Sequence, residues 1–360
     1  MLSLQDRNWK QFTIEEIFTI SSGKRLETRN KITGSLPFAG AVDGSNGISG
    51  FVGNKNDSLD KNVLGVNYNG SVGLCFYHPY EVIFSDDVKR FHLINHPDNH
   101  RIMLFMKVVI ERQRIKYSYG YKFNATRMKR QTILLPTDMF SEPDWKFMEA
   151  YIRERESILT MRCREFLTKR IASIERERVN LSNCRPASLA ERPWRSYRLS
   201  IIGDIQSGRD IYASKRIAGD TPYITSGSQD NGIGYFVANI NDTLDSGYIA
   251  LNRNGAVGKA FYHPYPSLMG NDCRKLHVKA ADKNPYVGNF IALAISKQSK
   301  CFSYSRKLGT ARARALRIML PAANDGQPDY AYMEAYGQAI VLELLKEQLN
   351  HLMKQAAFRP

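Results

Sequence analysis

Cysteine is scarce in this chain and badly placed for chemistry. The five cysteines, Cys75, Cys163, Cys184, Cys273 and Cys301, are odd in number and no two stand at metal-ligand spacing. That argues against a disulfide framework and a zinc site, and for a reducing compartment. Long apolar runs are missing too: none approaches the roughly 18 residues that a membrane span needs. The N-terminal MLSLQDRNWKQF lacks the apolar core of a signal peptide. The expectation is a cytoplasmic protein without membrane association. Chemical motifs are also wanting. There is no Asn/Asp-Pro-Pro-Tyr/Phe, no Gly-rich loop for a methyl donor, no P-loop and no convincing nuclease carboxylate cluster. No catalytic residue, metal site or bound cofactor is therefore expected in this chain.

Acidic residues are outnumbered, 35 Asp and Glu against 51 Lys and Arg, which leaves a net charge of +16. Such a balance favours a polyanionic partner, because each neutralised phosphate releases counterions. The 43% apolar content is enough for a real core, and 360 residues allow two or three domains.

The chain repeats itself at an offset of 185 residues, WKQFTIEEIFTISSGKR from Trp9 against WRSYRLSIIGDIQSGRD from Trp194. The same offset pairs Pro37-Phe38 with Pro222-Tyr223 and Asn46-Gly47-Ile48 with Asn231-Gly232-Ile233. NYNGSVGLCFYHPY (67–80) and NRNGAVGKAFYHPY (252–265) agree at ten of fourteen positions. Chance agreement is on the order of 6% per position, so the duplication is real. Asp87 and His92 match Asp272 and His277, and Met148-Glu149-Ala150-Tyr151 matches Met333-Glu334-Ala335-Tyr336, without a gap.

In each copy, short apolar runs cut by Gly, Asn, Asp and Pro predict strands and tight turns. Asn-Gly at 46–47, 69–70, 231–232 and 254–255 suits positive φ. Segments 99–114 and 284–299 have helical periodicity, so each copy mixes α and β. Residues 144–182 then hold no Gly or Pro, and Trp145, Met148, Ile152, Leu159, Cys163, Phe166 and Ile174 recur at a spacing of 3 or 4. Residues 329–356 repeat this with Met333, Ile340, Leu344, Leu345, Leu349 and Leu352. Ser141 or Asp144 is placed to cap the first long helix. A lone helix with a narrow apolar stripe needs a partner, and the duplication supplies one. The predicted fold class is α+β: two pseudo-twofold-related globular α/β domains separated by two long antiparallel coiled-coil helices.

A Trp-x-x-Phe/Tyr start, Ser-Gly-Lys/Arg, Pro-Phe/Tyr, Asn-Gly-Ile, Asn-x-Asn-Gly-x-Val-Gly with Phe-Tyr-His-Pro, aromatic-Ser-Tyr, a hydrophobic-Leu-Pro strand and a long helix occur in that order, twice. The set resembles the target recognition domains of restriction-modification specificity subunits, both Type I (HsdS-like) and the shorter Type IIB (BcgI-like) kind. The resemblance implies recognition domains at 1–140 and 186–325, with long spacer helices at 141–185 and 326–360. It implies that each domain reads one half of a bipartite asymmetric site in double-stranded DNA, and that the helices fix the unread spacer. Modification or fused restriction-modification subunits, two per chain, would dock on it and carry S-adenosylmethionine and Mg²⁺. The chain is shorter than a typical Type I subunit, which favours the Type IIB-like variant.

Base reading needs polar or basic side chains at base edges, and positions where the two copies differ are the interesting ones. Three regions qualify. Lys24 and Arg25 stand against Arg209 and Asp210, and the alternative for both is a solvated turn. Tyr68 stands against Arg253, between asparagines whose identity in both copies suggests turn structure, with their side chains bonded to backbone. Lys116, Tyr119, Lys122, Arg127, Lys129 and Arg130 stand against a second stretch that contains Tyr304, Arg306, Lys307, Arg312 and Arg314. That basic-aromatic interleaving suits phosphate binding with some base contact, and a mobile basic loop is the alternative. His78 and His263 have no nucleophile or carboxylate at a useful spacing, which favours a buried framework role. Two other functions stay open: a self-sufficient nuclease or methyltransferase with an unrecognised site, and a scaffold that binds protein or RNA.

Overall fold

Two copies of one sequence should build two copies of one core, and the computed structural model contains them. It describes residues 1–118, 120–179, 188–279, 283–303 and 305–357. The chain divides into two compact units, Met1–Cys163 and Arg164–Pro360.

The first unit runs β1 (Asn8–Thr13), α1 (Ile14–Ile17), β2 (Phe18–Ser22), β3 (Leu36–Ala39), β4 (Ile48–Val52), β5 (Val63–Asn67), β6 (Cys75–His78), β7 (Ile83–Phe84), β8 (Val88–Leu93), α2 (His100–Glu111), α3 (Ala125–Arg130), β9 (Thr132–Thr137) and then the long α4 (Trp145–Val179), which continues into the second unit. The strands form a four-stranded sheet β2-β8-β5-β6, a three-stranded sheet β4-β3-β7 and an antiparallel ribbon β1-β9. β5 is buried at all five positions, because both its faces are covered. Leu64 and Val66 enter the main core with Met103, Met106 and Ile110 of α2, while Val63 joins Phe84 and Val88 on the other side.

The second unit repeats the order: β10 (Trp194–Arg198), α5 (Leu199–Ile202), β11 (Gly203–Ser207), β12 (Ala218–Ile224), β13 (Ile233–Val237), β14 (Tyr248–Asn252), β15 (Ala260–His263), β16 (Leu268–Met269), β17 (Cys273–Val278), α6 (Pro285–Ser296), α7 (Thr310–Ala315), β18 (Arg317–Pro321) and α8 (Tyr330–Ala357). Its sheets are β11-β17-β14-β15, β13-β12-β16 and β10-β18. The ribbons keep corresponding registers, Trp9 opposite Pro136 and Trp194 opposite Pro321. One exchange shows how the shared frame repacks. Gly65 lies against the Phe84 ring, where an added Cβ would come within 2.9 Å. The second copy has Ala250 at this position and the slimmer Met269 in place of Phe84, and both are fully buried.

The predicted helices at 99–114 and 284–299 correspond to α2 and α6, capped by Asn99 and Asn284. All four Asn-Gly pairs place glycine at positive φ, and Asn46 and Asn231 are left-handed as well. Asp144 caps α4, its Oδ1 accepting from the Phe147 amide at 2.9 Å, whereas Ser141 sits at φ 63° in the preceding turn. Asp329 does the same for α8 through Tyr332. The 35 residues of α4 give a rod of about 52 Å at ~1.5 Å per residue.

The apolar stripe matches the predicted one at its ends, where Met148 and Ile174 are buried and Trp145 and Ile152 pack on the first core, and differs in the middle. Leu159, Cys163 and Phe166 are exposed, while Leu167, Ile171 and Ile174 are buried. Within the second unit, Ile171 and Ile174 of α4 pack against Leu342 of α8, with Val341, Leu345 and Leu349 alongside. Ile340 and Leu344 are exposed. Spacing by 3 or 4 admits more than one phase on a charge-rich helix, and in the middle of α4 spacing alone selected the wrong residues. Among the described residues, no helix is long and apolar enough to cross a membrane.

Candidate nucleic-acid interface

In the second unit, backbone geometry links the three polar regions of the sequence. The Arg209 amide donates to the Met269 carbonyl at 2.8 Å, and the Asn271 amide donates to Asp210 Oδ1 at 2.8 Å. The turn at 270–272 therefore carries the 208–210 loop. The same turn holds the next region: the Arg253 amide donates to the Asp272 carbonyl at 2.8 Å. From there the Leu308 amide reaches the Arg253 carbonyl at 3.3 Å, and Arg274 Nε donates to Thr310 Oγ1 at 2.7 Å. Residues 209–210, 253–254 and 307–312 thus form one strip beside an open groove lined by Arg209, Tyr212, Lys215, Asn241 and Asn271.

The first unit repeats two of these links. The Lys24 amide donates to the Phe84 carbonyl at 2.9 Å, and the Tyr68 amide to the Asp87 carbonyl at 3.1 Å. Lys89 Nζ donates to Ser22 Oγ at 2.9 Å and lies 4.6 Å over the Tyr68 ring. Tyr68 and Tyr117 both pack on the core that contains Phe123.

Individual residues differ in how tightly they are held. Lys24 pairs with Asp57 at 2.7 Å and holds that exposed carboxyl below its usual range. Arg209 lies 3.4 Å from Asp242, also in the open. Arg25, Lys129 and Arg130 are exposed, as are Arg306 and Arg314. Lys116 is exposed and donates to Gln113 at 2.9 Å. Arg127 is the most fixed of the first set. Its Nη1 donates to the Lys122 carbonyl at 2.7 Å, and its guanidinium lies 3.7 Å over the Tyr121 ring. Tyr121 stacks on Tyr117, and Tyr117 on Phe123 at 4.2 Å. Arg312 makes the corresponding bond to the Lys307 carbonyl at 2.9 Å, but Arg306 and Phe302 replace the two tyrosines. Tyr119 and Tyr304 lie outside the described residues.

The asparagines beside the second region are structural, as their repetition suggested, although two of the bonds are different from those expected. Asn67 and Asn252 donate to the backbone carbonyls of Val42 and Gly227. Asn69 and Asn254 donate instead to the Asp87 and Asp272 carboxylates, at 3.0 and 3.3 Å. These aspartates, with Lys89, Arg274 and Tyr121, are the members of the strip that sequence reasoning passed over. Asp87 and Asp272 were visible only as repeat markers, and their place beside Tyr68 and Arg253 depends on β8 and β17 pairing with β5 and β14.

His78 and His263 are buried at 1% and 0% exposure, and their Nδ1 atoms reach the Tyr80 and Tyr265 hydroxyls at 3.4 and 3.3 Å. Burial pushes both down to about 4, so they are neutral at ordinary pH. Among the described residues no His, Cys, Asp and Glu groups are arranged to hold a metal ion.

Residues 6–162 and 191–353 both match the family described as Type I restriction modification DNA specificity domain. A curated relative, the Type II restriction enzyme BgcI specificity subunit S.BcgI of Heyndrickxia coagulans, is 55% identical over 163 residues. The match takes in 45% of this chain and 48% of that protein, so the chain spans about half the length of the curated relative it matches. The solved Type-I restriction-modification system S subunit from M. genitalium is similar in fold, with a TM-score of 0.51 at 18% identity over 98% of this chain and 95% of that one.

Proposed function

The chain belongs to the family of Type I restriction modification DNA specificity domains, and from that premise we propose that it is the DNA sequence-specificity subunit of a restriction-modification complex. Each unit's strip reads one half of a bipartite, asymmetric site. The long helices set the unread gap and, through residues such as Leu159, Phe166 and Leu344, dock the subunits that methylate and cut. Those subunits carry S-adenosylmethionine and Mg²⁺, and this chain carries neither chemistry. The 55% identical relative is a Type II specificity subunit, which favours partners of that kind over Type I ones.

One observation carries the reading: a repeated frame presents unlike polar side chains at corresponding tips, as a two-part reader of two different half-sites requires. Lysines and arginines such as Lys116, Lys129, Arg130 and Arg314 attract the duplex through its phosphates, a contribution that salt weakens. Fixed side chains such as Arg127 and Arg253 test base edges, each good bidentate pair discriminating by about 1–3 kcal/mol.

The test is selection of bound sequences from a random duplex pool, using the full chain with the catalytic subunits encoded beside it. A motif of two short halves around a fixed gap is expected. Failure to enrich any motif, with the complex intact, would move the weight to a scaffold for protein or RNA. Magnesium-dependent cleavage or methyl transfer by the purified chain alone would instead make it an enzyme.

A further inference from the structure

The turn after β14 and its counterpart after β5 have the same backbone and different charged side chains. In the second unit Arg253 Nη2 donates to Asp272 Oδ1 at 3.0 Å, its amide donates to the Asp272 carbonyl, and Asn254 donates to the same carboxylate oxygen. The guanidinium is thereby tied at one corner, with its side chain 28% exposed. Behind it Arg274 is almost fully buried, and it bonds to neutral acceptors: Thr310 Oγ1, the Asn271 carbonyl and the Cys273 carbonyl, at 2.7, 2.8 and 2.7 Å. Asp272 is the carboxylate bonded to the Arg253 guanidinium, while the second carboxylate at this turn, Asp210, accepts from the Asn271 amide.

The first unit has Tyr68 for Arg253, Lys89 for Arg274 and Asp86 for Asn271, with Asp87 retained. One ammonium there faces two carboxylates, and the spot is left negative. Asp87 and Asp86 both act on the Tyr68 phenol, which burial already raises. A fixed, planar, multiply donating tip suits guanine, whose major-groove edge offers the O6 and N7 acceptors. A negative spot repels both phosphate and acceptor edges. It suits a base that presents a donor, such as cytosine N4 or adenine N6.

We propose that Arg253, positioned by Asp272, reads a guanine in one half-site, and that Tyr68 and Asp87 give the corresponding place in the other half-site a different base preference. This rests on the DNA-reading function proposed above. A phosphate contact would need charge at Arg253 but neither the fork nor the brace, and the test turns on that difference.

The experiment is the same selection, repeated with Arg253→Lys, Arg253→Ala, Asp272→Asn and Tyr68→Arg in the full chain with its catalytic subunits. Arg253→Lys keeps the charge and loses the fork. The expected result is a roughly tenfold loss of guanine preference at one position, with binding retained and the other half-site unchanged. Asp272→Asn shifts the same position in the same direction, and Tyr68→Arg moves the corresponding position of the other half towards guanine. The inference is overturned if Arg253→Lys leaves the motif unaltered while Arg253→Ala weakens all sequences alike and lowers the salt slope by about one. A wild-type protein that selects no motif overturns the DNA-reading proposal itself, and this inference with it. A motif indifferent to Arg253 overturns the inference alone.

Discussion

At the Asp87 turn the first unit gathers an aromatic ring and excess carboxylate. At the Asp272 turn the second gathers two guanidiniums, Arg253 and Arg274, with the carboxylates of Asp272 and Asp210. Their third regions diverge as well: Arg127 lies over a ladder of Tyr121, Tyr117 and Phe123, whereas Arg312 has the same carbonyl bond and Arg306, Phe302 and Leu308 in place of the rings. Beneath these tips the cores correspond, down to Met148 and Met333 on the first turns of α4 and α8, each fully buried. The difference teaches where this fold is free to vary. Strand pairing, caps and left-handed turns hold the tips in place, and the tips carry the chemistry.

The comparison can be broken most forcibly at its shared part. Met148→Ala and Met333→Ala each remove a fully buried side chain and should cost about 2–5 kcal/mol. Urea unfolding followed by a probe in each unit should show losses of similar size. A large loss in one unit and almost none in the other would mean that the two cores are not equivalent.

A second test uses acid. His78 and His263 have folded pKa values near 4 against about 6.5 when unfolded. Each therefore contributes fully above about pH 6.5. That contribution is lost as pH falls towards 4, where the unfolded chain takes up protons and the folded chain does not. The ceiling is about 3 kcal/mol per histidine. His92, in the first unit, adds an effect of opposite sign. Asp98 at 2.6 Å and Asp60 at 3.0 Å raise it to about 9, against the cost of its partial burial. Its contribution is present below about pH 6.5 and lost as pH rises through 9, and solvent screening reduces it to about 1 kcal/mol. His277 has Asp245 at 2.9 Å, but Lys283 stands where Asp98 would be. Thermal melts from pH 4 to 10 should show an acid loss that His78→Gln and His263→Gln flatten, and an alkaline loss that His92→Asn flattens. A profile that His92→Asn leaves unchanged would remove this asymmetry.

A smaller effect belongs to the aromatic ladder. Tyr121→Ala removes the ring under Arg127 and should weaken DNA binding by about 0.5–1 kcal/mol, with the change confined to the first half-site. Arg306→Ala, at the corresponding place, should instead reduce affinity for all sequences and lessen its salt dependence. Equal behaviour of the two variants would show that the ladder does not position Arg127.

Much of this architecture was legible in the sequence. An ungapped repeat fixed two like units, Asn-Gly pairs marked the left-handed turns, and Asp144 with the Gly- and Pro-free run after it marked the helix. The family was legible as well, because ten identical positions around Phe-Tyr-His-Pro recur within an ordered set of motifs. The helix phase was legible only in part: Met148 and Ile174 are buried as the spacing required, but Leu159 and Phe166 keep a spacing as good as that of Leu167 and Ile171, and only packing separates them. Nor was the bracing of Arg253 by Asp272. The two are 19 residues apart in sequence and meet only through the pairing of β14 with β17.

The most direct measurement of the central claim is the sequence of the site that the intact complex selects, with its two halves compared base by base. Two different halves, one with guanine where Arg253 reaches, are what two unlike tips on one repeated frame predict. Two identical halves forming a palindrome would contradict it, because the differences between Tyr68 and Arg253 and between Tyr121 and Arg306 would then have no effect on what is read.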